Sequence, residues 1–287
     1  MKIAVTGASS DIGRRVCAEA GASGHEVVQL VRCPGSGQLH FDLACRHEAN
    51  LLDGIDGVIH LAWQWQASSP EYKRINVDGS RRLLDLAVHR DIPFVLLSTF
   101  STFSRSSSEY ADCKRALEYD VRGGMGGSVR AGVIWGDGLS GIAQTLKRAA
   151  ALPMVRAHLK PDPVLYQTSS TSLSRLLVGM CVDRTLANPV LGAYPVPLSL
   201  SQLIDTIRAK DSGIQLPIPV TPLRFALRLA ERAGLRLPMR SDSLGGALEP
   251  GDVPPNLWDE KVAETFRRNE DFLSWMKQAV TEQSMGA

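Results

Sequence analysis

The sequence has few cysteines, and none of them stands in a metal-binding or redox spacing. The five cysteines lie at positions 17, 33, 45, 113 and 181, so their number is odd and no C-x-x-C motif is present. This pattern excludes the common cysteine zinc motifs and argues against a disulfide framework. We therefore predict reduced thiols in a cytoplasmic protein that binds no metal.

Long apolar runs and long runs of one charge are absent as well. No apolar stretch approaches the ~20 residues that a membrane-spanning helix needs. The 32 basic and 30 acidic residues give a net charge of +2, so nothing indicates nucleic acid or an anionic membrane as a partner. We expect a small-molecule substrate, no nucleic acid and no membrane partner, with a homodimer as the assembly to consider.

What the sequence does contain is a regular alternation of short apolar runs and helix-like segments. The candidate strands are KIAVT, HEVVQLV, QLHF, GVIHLA, FVLLS and GSVRAGVIW. Continuous apolar strands separated by amphipathic helices are typical of a parallel sheet covered on both faces. We predict an α/β fold with a doubly wound parallel sheet of the Rossmann type. A dinucleotide-binding domain is placed at residues 1–160 and a smaller, mostly helical substrate-binding region, interleaved with the first, at 161–287.

The first candidate strand runs into TGASSDIG, a glycine loop without the middle glycine of a dinucleotide-binding motif. Gly7 permits the tight turn and Gly13 lets the helix pack closely on the strand. Ser10 takes the middle position, where it can bind a phosphate or cap the helix, and Asp11 is expected to be a helix-start acid that points away from the phosphates. The predicted cofactor-binding residues of this loop are Gly7, Ser9, Ser10, Asp11, Ile12 and Gly13.

The end of the second strand bears on the choice of cofactor. In VVQLVRCPG, Val31 occupies the position of the acid that binds the ribose of NAD, and Arg32 follows it. An arginine at this point accommodates the 2′-phosphate of NADP. Arg32 therefore favours NADP(H), and NAD(H) stays open.

A tyrosine and a lysine form the candidate acid/base pair. Tyr110 and Lys114 are four residues apart in EYADCKRALEYDV, which places both side chains on one face of a helix. A neighbouring ammonium is expected to lower the pKa of the phenol. Ser98, Thr99 and Ser101 follow the apolar strand FVLL, so their hydroxyls lie at the carboxyl end of a strand, where such folds bind ligands.

Taken together and in this order, these segments resemble the extended short-chain dehydrogenase/reductase superfamily in its NAD-dependent epimerase/dehydratase branch. The matching segments, which cover about residues 1 to 140, are TGASSDIG, LVR, FDL, VIHLA, NVDGSRRLLDLA, STFSTF, YADCK and VRAGVIWG. The resemblance implies that Tyr110 is the acid/base, Lys114 its ribose-binding partner and Thr99 the hydroxyl that polarises the reacting C–O bond. It also implies cofactor contacts at Asp42, Leu43, Leu61, Ala62, Trp63, Ala131 and Val133.

The departures from the family pattern concern the substrate. Sugar-nucleotide 4,6-dehydratases of this family carry an Asp-Glu pair where this chain has Phe100 and Ser101, so we do not expect that reaction. The nearby Trp63 and Trp65 favour an apolar or aromatic substrate. The candidate substrate contacts are Trp65, Phe100, Ser101 and Trp135. A phosphorylated substrate stays open if the stripe Arg224, Arg228, Arg232, Arg236 and Arg240 lines the cleft.

Three functions follow as hypotheses. The first is an NAD(P)(H)-dependent oxidoreductase that transfers a hydride between the nicotinamide and a carbonyl or hydroxyl carbon. The second is a sugar-nucleotide epimerase that retains NAD. The third is a cofactor-sensing regulator without catalytic activity, against which the complete set of Thr99, Tyr110 and Lys114 argues.

Overall fold

A parallel sheet with helices on both faces forms the centre of the protein. The structure is a computed structural model that describes residues 1–65, 70–104, 108–122, 126–136, 141–150, 155–184, 189–207, 214–222, 225–226, 229 and 251–269. Within these ranges the sheet has seven strands: β1 (Lys2–Thr6), β2 (Glu26–Val31), β3 (Leu39–His40), β4 (Gly57–His60), β5 (Phe94–Thr99), β6 (Gly126–Ala131) and β11 (Val190–Gly192). Their order is β11-β6-β5-β4-β1-β2-β3, and every pairing is parallel. The predicted doubly wound fold is confirmed.

The described helices cover the sheet and the region beyond it. They are α1 (Asp11–Ala22), α2 (Glu71–Lys73), α3 (Gly79–His89), α4 (Glu109–Arg122), α5 (Gly141–Ala150), α6 (Ser170–Asp183), α7 (Leu200–Ile207) and α8 (Glu260–Asn269). A π-helical turn, Arg74–Asp78, joins α2 to α3. Short 3₁₀ helices span Ala49–Leu52, Phe100–Phe103 and Pro255–Leu257.

Side chains alternate across β1 and so supply two hydrophobic clusters, one on each face of the sheet. Ile3 and Val5 belong to the cluster that contains buried residues of α1 and α6. Ala4 belongs to the cluster that contains buried residues of α3 and α4. A strand in the middle of the sheet therefore needs apolar side chains on both of its faces, as the sequence of β1 predicts.

Residues beyond 160 contribute to the central sheet and its helices as well as to smaller, two-stranded sheets. β11 pairs with β6 at the edge of the main sheet, and α6 packs in the same cluster as α1. The remaining strands, β7 (Val133–Trp135), β8 (Val155–Lys160), β9 (Val164–Leu165), β10 (Gln167–Ser169), β12 (Leu198–Ser199) and β13 (Ile214–Pro219), form three two-stranded sheets. The domain division at residue 160 stays a prediction.

Candidate active site

The glycine loop lies between β1 and α1 and packs against the loop that follows β4. Gly7 has a φ of +66°, a backbone conformation that residues with a side chain rarely adopt. A Cβ at this position would lie 3.0 Å from the backbone nitrogen of Ala62. A Cβ on Gly13 would overlap the carbonyl oxygen of Gly7. Close backbone packing therefore requires both glycines, which is the role that the motif assigns to them.

Ser10, at the middle position of the loop, is the N-cap of α1. Its hydroxyl accepts a hydrogen bond from the backbone N–H of Gly13 at 3.1 Å and donates one to the carbonyl of Gly7 at 2.8 Å. Asp11 is the first residue of the helix, and its carboxylate pairs with Arg14. Because a hydroxyl has a single proton to donate, Ser10 cannot donate to a phosphate without breaking its hydrogen bond to the carbonyl of Gly7.

The N-terminus of α1 has the chemistry that an anionic pyrophosphate requires. Its first backbone N–H groups have no carbonyl partner within the helix, and Arg14 and Arg15 lie in its first turns. Ile12 packs against the core below, whereas Ser9 is exposed. Arg15 also donates a hydrogen bond to Thr171 on α6 at 2.9 Å. The residues present here fit a dinucleotide.

Substituting Ser10 with alanine is expected to remove the helix cap and lower the free energy of unfolding by about 1 kcal/mol. Ser10→Gly should cost only about a few tenths of a kcal/mol, because glycine is tolerated at an N-cap. Urea denaturation of the two variants beside the wild type measures the difference. Equal losses in both variants would contradict the capping role.

The segments after β2 and β3 form the part of the predicted cofactor site that would bind the adenosine. The side chain of Arg32 is exposed, and its guanidinium contacts the amide oxygen of Gln64 at 3.5 Å. A ligand phosphate could replace this long contact at little cost. Asp42 accepts a hydrogen bond from the backbone N–H of Ala44 at 2.9 Å, which closes a turn, and Leu43 is buried beside it.

A buried hydrogen-bond chain holds the loop after β4 against β1. The His60 ring lies 2.8 Å from the hydroxyl of Thr6 through Nδ1 and 2.8 Å from that of Ser80 through Nε2. Ser80 donates to the carbonyl of Asn76, and the backbone N–H of Leu61 donates to Thr6. This pattern requires a neutral ring with its proton on Nε2, and burial lowers the pKa of His60 to about 3. His60 is therefore a structural residue.

Asn76, which sequence reasoning missed, holds the tryptophan-bearing part of the same loop. Its buried amide donates to the carbonyls of Gln64 at 2.9 Å and Tyr72 at 3.0 Å, and it accepts from the N–H of Gln64 at 2.7 Å. The indole N–H of Trp63 donates to the hydroxyl of Tyr72 at 2.7 Å. The asparagine of the NVDG segment was the signal that could have identified this role.

The three predicted catalytic side chains lie together where β5 ends and α4 begins. The hydroxyls of Thr99 and Tyr110 are hydrogen-bonded. Nζ of Lys114 donates to the carbonyl of Leu97 at 2.7 Å and lies 4.0 Å from the centre of the Trp63 ring. Tyr110 meets the same indole at a centroid distance of 5.4 Å. Trp63 thus contacts both members of the candidate acid/base pair.

The protonation states of this group follow from its burial. Burial raises the pKa of Tyr110 to about 12, although its hydrogen bond with Thr99 acts in the opposite direction. The expectation of a lowered pKa for this phenol is therefore wrong for the cofactor-free chain. Burial also lowers the pKa of Lys114 to about 7, against the Glu118 carboxylate, which raises it. Tyr110 consequently carries its proton at neutral pH.

A buried ion pair, also missed from the sequence, lies one helical turn beyond Lys114. Arg130 donates through Nε and Nη2 to the two carboxylate oxygens of Glu118 at 2.9 and 2.7 Å. The hydroxyl of Ser98 donates to the same carboxylate at 2.5 Å, and the Arg130 guanidinium lies 4.3 Å from the centre of the Phe103 ring. Glu118 continues the four-residue spacing of Tyr110 and Lys114, which was its sequence signal.

The remaining predicted contacts on β6 and β7 are buried. Ala131 and Val133 are 4% and 7% exposed. Trp135 is 3% exposed, lies in a third hydrophobic cluster and donates its indole N–H to the side chain of Gln167 at 2.5 Å. The structure places Trp135 in the core, where a substrate could reach it only after repacking.

The other candidate substrate residues lie beside the hydroxyls of Thr99 and Tyr110, the candidate catalytic groups. Trp65 is 47% exposed, and its ring centroid is 5.1 Å from that of Tyr110. Phe100 and Ser101 begin the 3₁₀ helix after β5, and the backbone N–H of Ser101 donates to the hydroxyl of Thr99 at 3.2 Å. Aromatic surface therefore adjoins the candidate reaction centre.

Some expectations concern other parts of the chain. The arginine stripe at positions 224, 228, 232, 236 and 240 lies outside the described residues. Among the residues that are described, no group of three His, Cys, Asp or Glu side chains could hold a metal ion. The described helices include none with the length and apolar composition to span a membrane. All five cysteines are described, and none of them forms a disulfide.

The sequence comparisons agree with this geometry. The model of the NAD dependent epimerase/dehydratase family matches residues 3–121, which include the glycine loop, Thr99, Tyr110 and Lys114. Over this range the chain is similar to that family.

Two curated relatives extend the similarity. An uncharacterized protein of Mycobacterium tuberculosis is 30% identical over 241 residues, which is 80% of this chain. The match spans only 26% of the length of that relative. The ceramide reductase of Caulobacter vibrioides is 30% identical over 209 residues, or 66% of this chain and 62% of the reductase.

A solved structure has a similar fold over nearly the whole length of the chain. The Thermus thermophilus UDP-glucose 4-epimerase, solved in complex with NAD, aligns with a TM-score of 0.71 over 98% of both chains. Its identity of 16% supports the fold and no more. The family and these structural neighbours are NAD-dependent enzymes.

Proposed function

We propose that this protein is an NADP(H)-dependent reductase that converts a carbonyl group of an apolar substrate to an alcohol. The observation that carries the proposal is the pairing of the Tyr110 and Thr99 hydroxyls beside the exposed ring of Trp65. A reductase needs a proton donor at the substrate oxygen, and a tyrosine phenol carries its proton at neutral pH. The nicotinamide supplies the hydride when it is bound.

The residues of the chain would divide the remaining work. Tyr110 donates its proton to the substrate oxygen as that oxygen gains charge, and the hydroxyl of Thr99 orients it. An ammonium has three N–H donors, so Lys114 can bind a ribose hydroxyl and keep its hydrogen bond to the carbonyl of Leu97. The 2′-phosphate would be bound by Arg32, whose guanidinium is exposed at the end of β2.

The prediction that the cofactor is NADP(H) depends on Arg32. Arg32→Ala is expected to weaken NADPH binding by about 10- to 100-fold, because a charge-assisted hydrogen bond to a phosphate contributes about 1.5–3 kcal/mol. NADH lacks the phosphate, so its Kd should stay unchanged. Titration of both nucleotides into both proteins measures this. Equal weakening of NADPH and NADH would exclude a 2′-phosphate contact.

A carbonyl reductase is further supported by the similarity to a ceramide reductase, which acts on a lipid. The direct test is consumption of NADPH by the purified protein with a panel of aromatic and long-chain carbonyl compounds. One alcohol should form for each NADPH oxidised.

The second candidate, a sugar-nucleotide epimerase, is favoured by the family match and by the fold of the Thermus enzyme. Such an enzyme would use the same three side chains to remove a proton from a hydroxyl of the substrate and to return it. Denaturing the purified protein and identifying any released nucleotide distinguishes the two. Stoichiometric retained NAD would favour the epimerase.

A further inference from the structure

Three aromatic rings from distant parts of the chain meet next to Thr99. Phe100 stacks on Tyr166 with ring centroids 4.6 Å apart. Trp258 lies 6.2 Å from Phe100 and 5.7 Å from Tyr166. We call Phe100, Tyr166 and Trp258 the aromatic wall. Each of its members is only partly buried, so the wall presents ring surface outside the hydrophobic core.

Backbone packing holds the wall in position. A Cβ on Gly251 would overlap the carbonyl oxygen of Phe103, so the segment that leads to Trp258 lies directly on the loop after β5. The carbonyl of Tyr166 accepts a hydrogen bond from the N–H of Val133 at 2.8 Å. A wall fixed in this way can bind a ligand without first being ordered, which reduces the entropic cost of binding.

Three cations of the adjoining elements α4 and β6, Lys114, Arg115 and Arg130, have partners within the chain. Lys114 donates to the carbonyl of Leu97, and Arg130 is paired with Glu118. Arg115 is bound to Asp112 and to the carbonyl of Thr102. A diphosphate requires donors that are free to bind its oxygens, whereas an uncharged apolar group requires only the ring surface.

We propose that the aromatic wall binds the apolar part of a neutral carbonyl substrate, an aryl group or an alkyl chain, and thereby selects the substrate class. This inference rests on the proposed reductase function, because the carbonyl oxygen is taken to lie at Thr99 and Tyr110. Phe100 directly follows Thr99 in the chain, so a group attached to that carbonyl would reach the wall. Tyr166 and Trp258 then determine specificity, although neither was predicted from the sequence.

The experiment compares two series of neutral aldehydes, one aryl and one straight-chain, each of increasing size, in the presence of NADPH. Trp258→Ala is expected to raise KM for the larger members by about tenfold or more, while kcat and NADPH affinity stay unchanged. The series that shows the larger rise identifies the group as aryl or alkyl. Gly251→Ala should have the same effect, because its Cβ displaces the segment that carries Trp258.

The matched control is Tyr119→Ala, which removes an aromatic side chain that is 78% exposed on α4; its kinetics should equal those of the wild type. Unchanged KM values in both Trp258→Ala and Gly251→Ala would overturn the inference, as would tight binding of UDP-sugars that Trp258→Ala does not affect. Calorimetric titration of the same aldehydes tests the wall without turnover. If the aldehydes bind, Trp258→Ala weakens that binding and no NADPH is consumed, the aromatic wall is supported as a binding site and the proposed reductase activity is rejected.

Discussion

Replacing Tyr110 with phenylalanine is expected to lower kcat for carbonyl reduction by about 10²- to 10⁴-fold, the usual contribution of a positioned proton donor. The substitution removes only the hydroxyl that is hydrogen-bonded to Thr99. The ring, which packs against Trp63 and Trp65, stays in place, so the fold should be retained. Single-turnover measurements with NADPH and the best carbonyl substrate give the rate of the chemical step.

Two comparisons isolate the effect of the hydroxyl. Tyr119→Phe makes the same chemical change on the exposed side of α4 and should leave kcat unchanged. NADPH affinity should be equal in all three proteins, because the phenol is expected to act on the substrate oxygen. A Tyr110→Phe variant that keeps more than about a tenth of the wild-type kcat would show that another group delivers the proton.

Replacing Arg130 with methionine is expected to lower the free energy of unfolding by about 3–5 kcal/mol, the cost of leaving one partner of a buried ion pair uncompensated. The Arg130 and Glu118 side chains are only 10% and 2% exposed. Without Arg130, Glu118 would be left with the hydroxyl of Ser98 and with Lys114, one turn away on the same helix. Urea denaturation of the wild type and the variant measures this loss.

The matched control for Arg130→Met is Arg81→Met, which breaks the pair of Arg81 with Asp120. Those side chains are 44% and 23% exposed, so the loss should be about 0–1 kcal/mol. Adding Glu118→Leu to Arg130→Met should restore part of the stability, because the buried carboxylate that had lost its partner is then removed. Equal losses from Arg130→Met and Arg81→Met would contradict the buried-pair interpretation.

Local patterns predicted the fold and most of the candidate site. The apolar strands were recognisable because both faces of a central strand are buried, and Tyr110 and Lys114 because a four-residue spacing places two side chains on one helical face. The direction of the pKa shift of Tyr110 could not be predicted in this way. It depends on how far the folded chain excludes water from the phenol, and on the hydrogen bond of the phenol with Thr99.

The sequence by itself determined the Rossmann topology, the two glycines that the first turn requires and the placement of Tyr110 and Lys114 on one helical face, because each depends on residues close together in the chain. Only the tertiary structure decided that Ser10 uses its hydroxyl as a helix cap and that Trp135 is buried. The same holds for the meeting of Trp258 with Phe100. These features depend on which distant segments pack together, and burial and ring contacts exist only once the chain has folded.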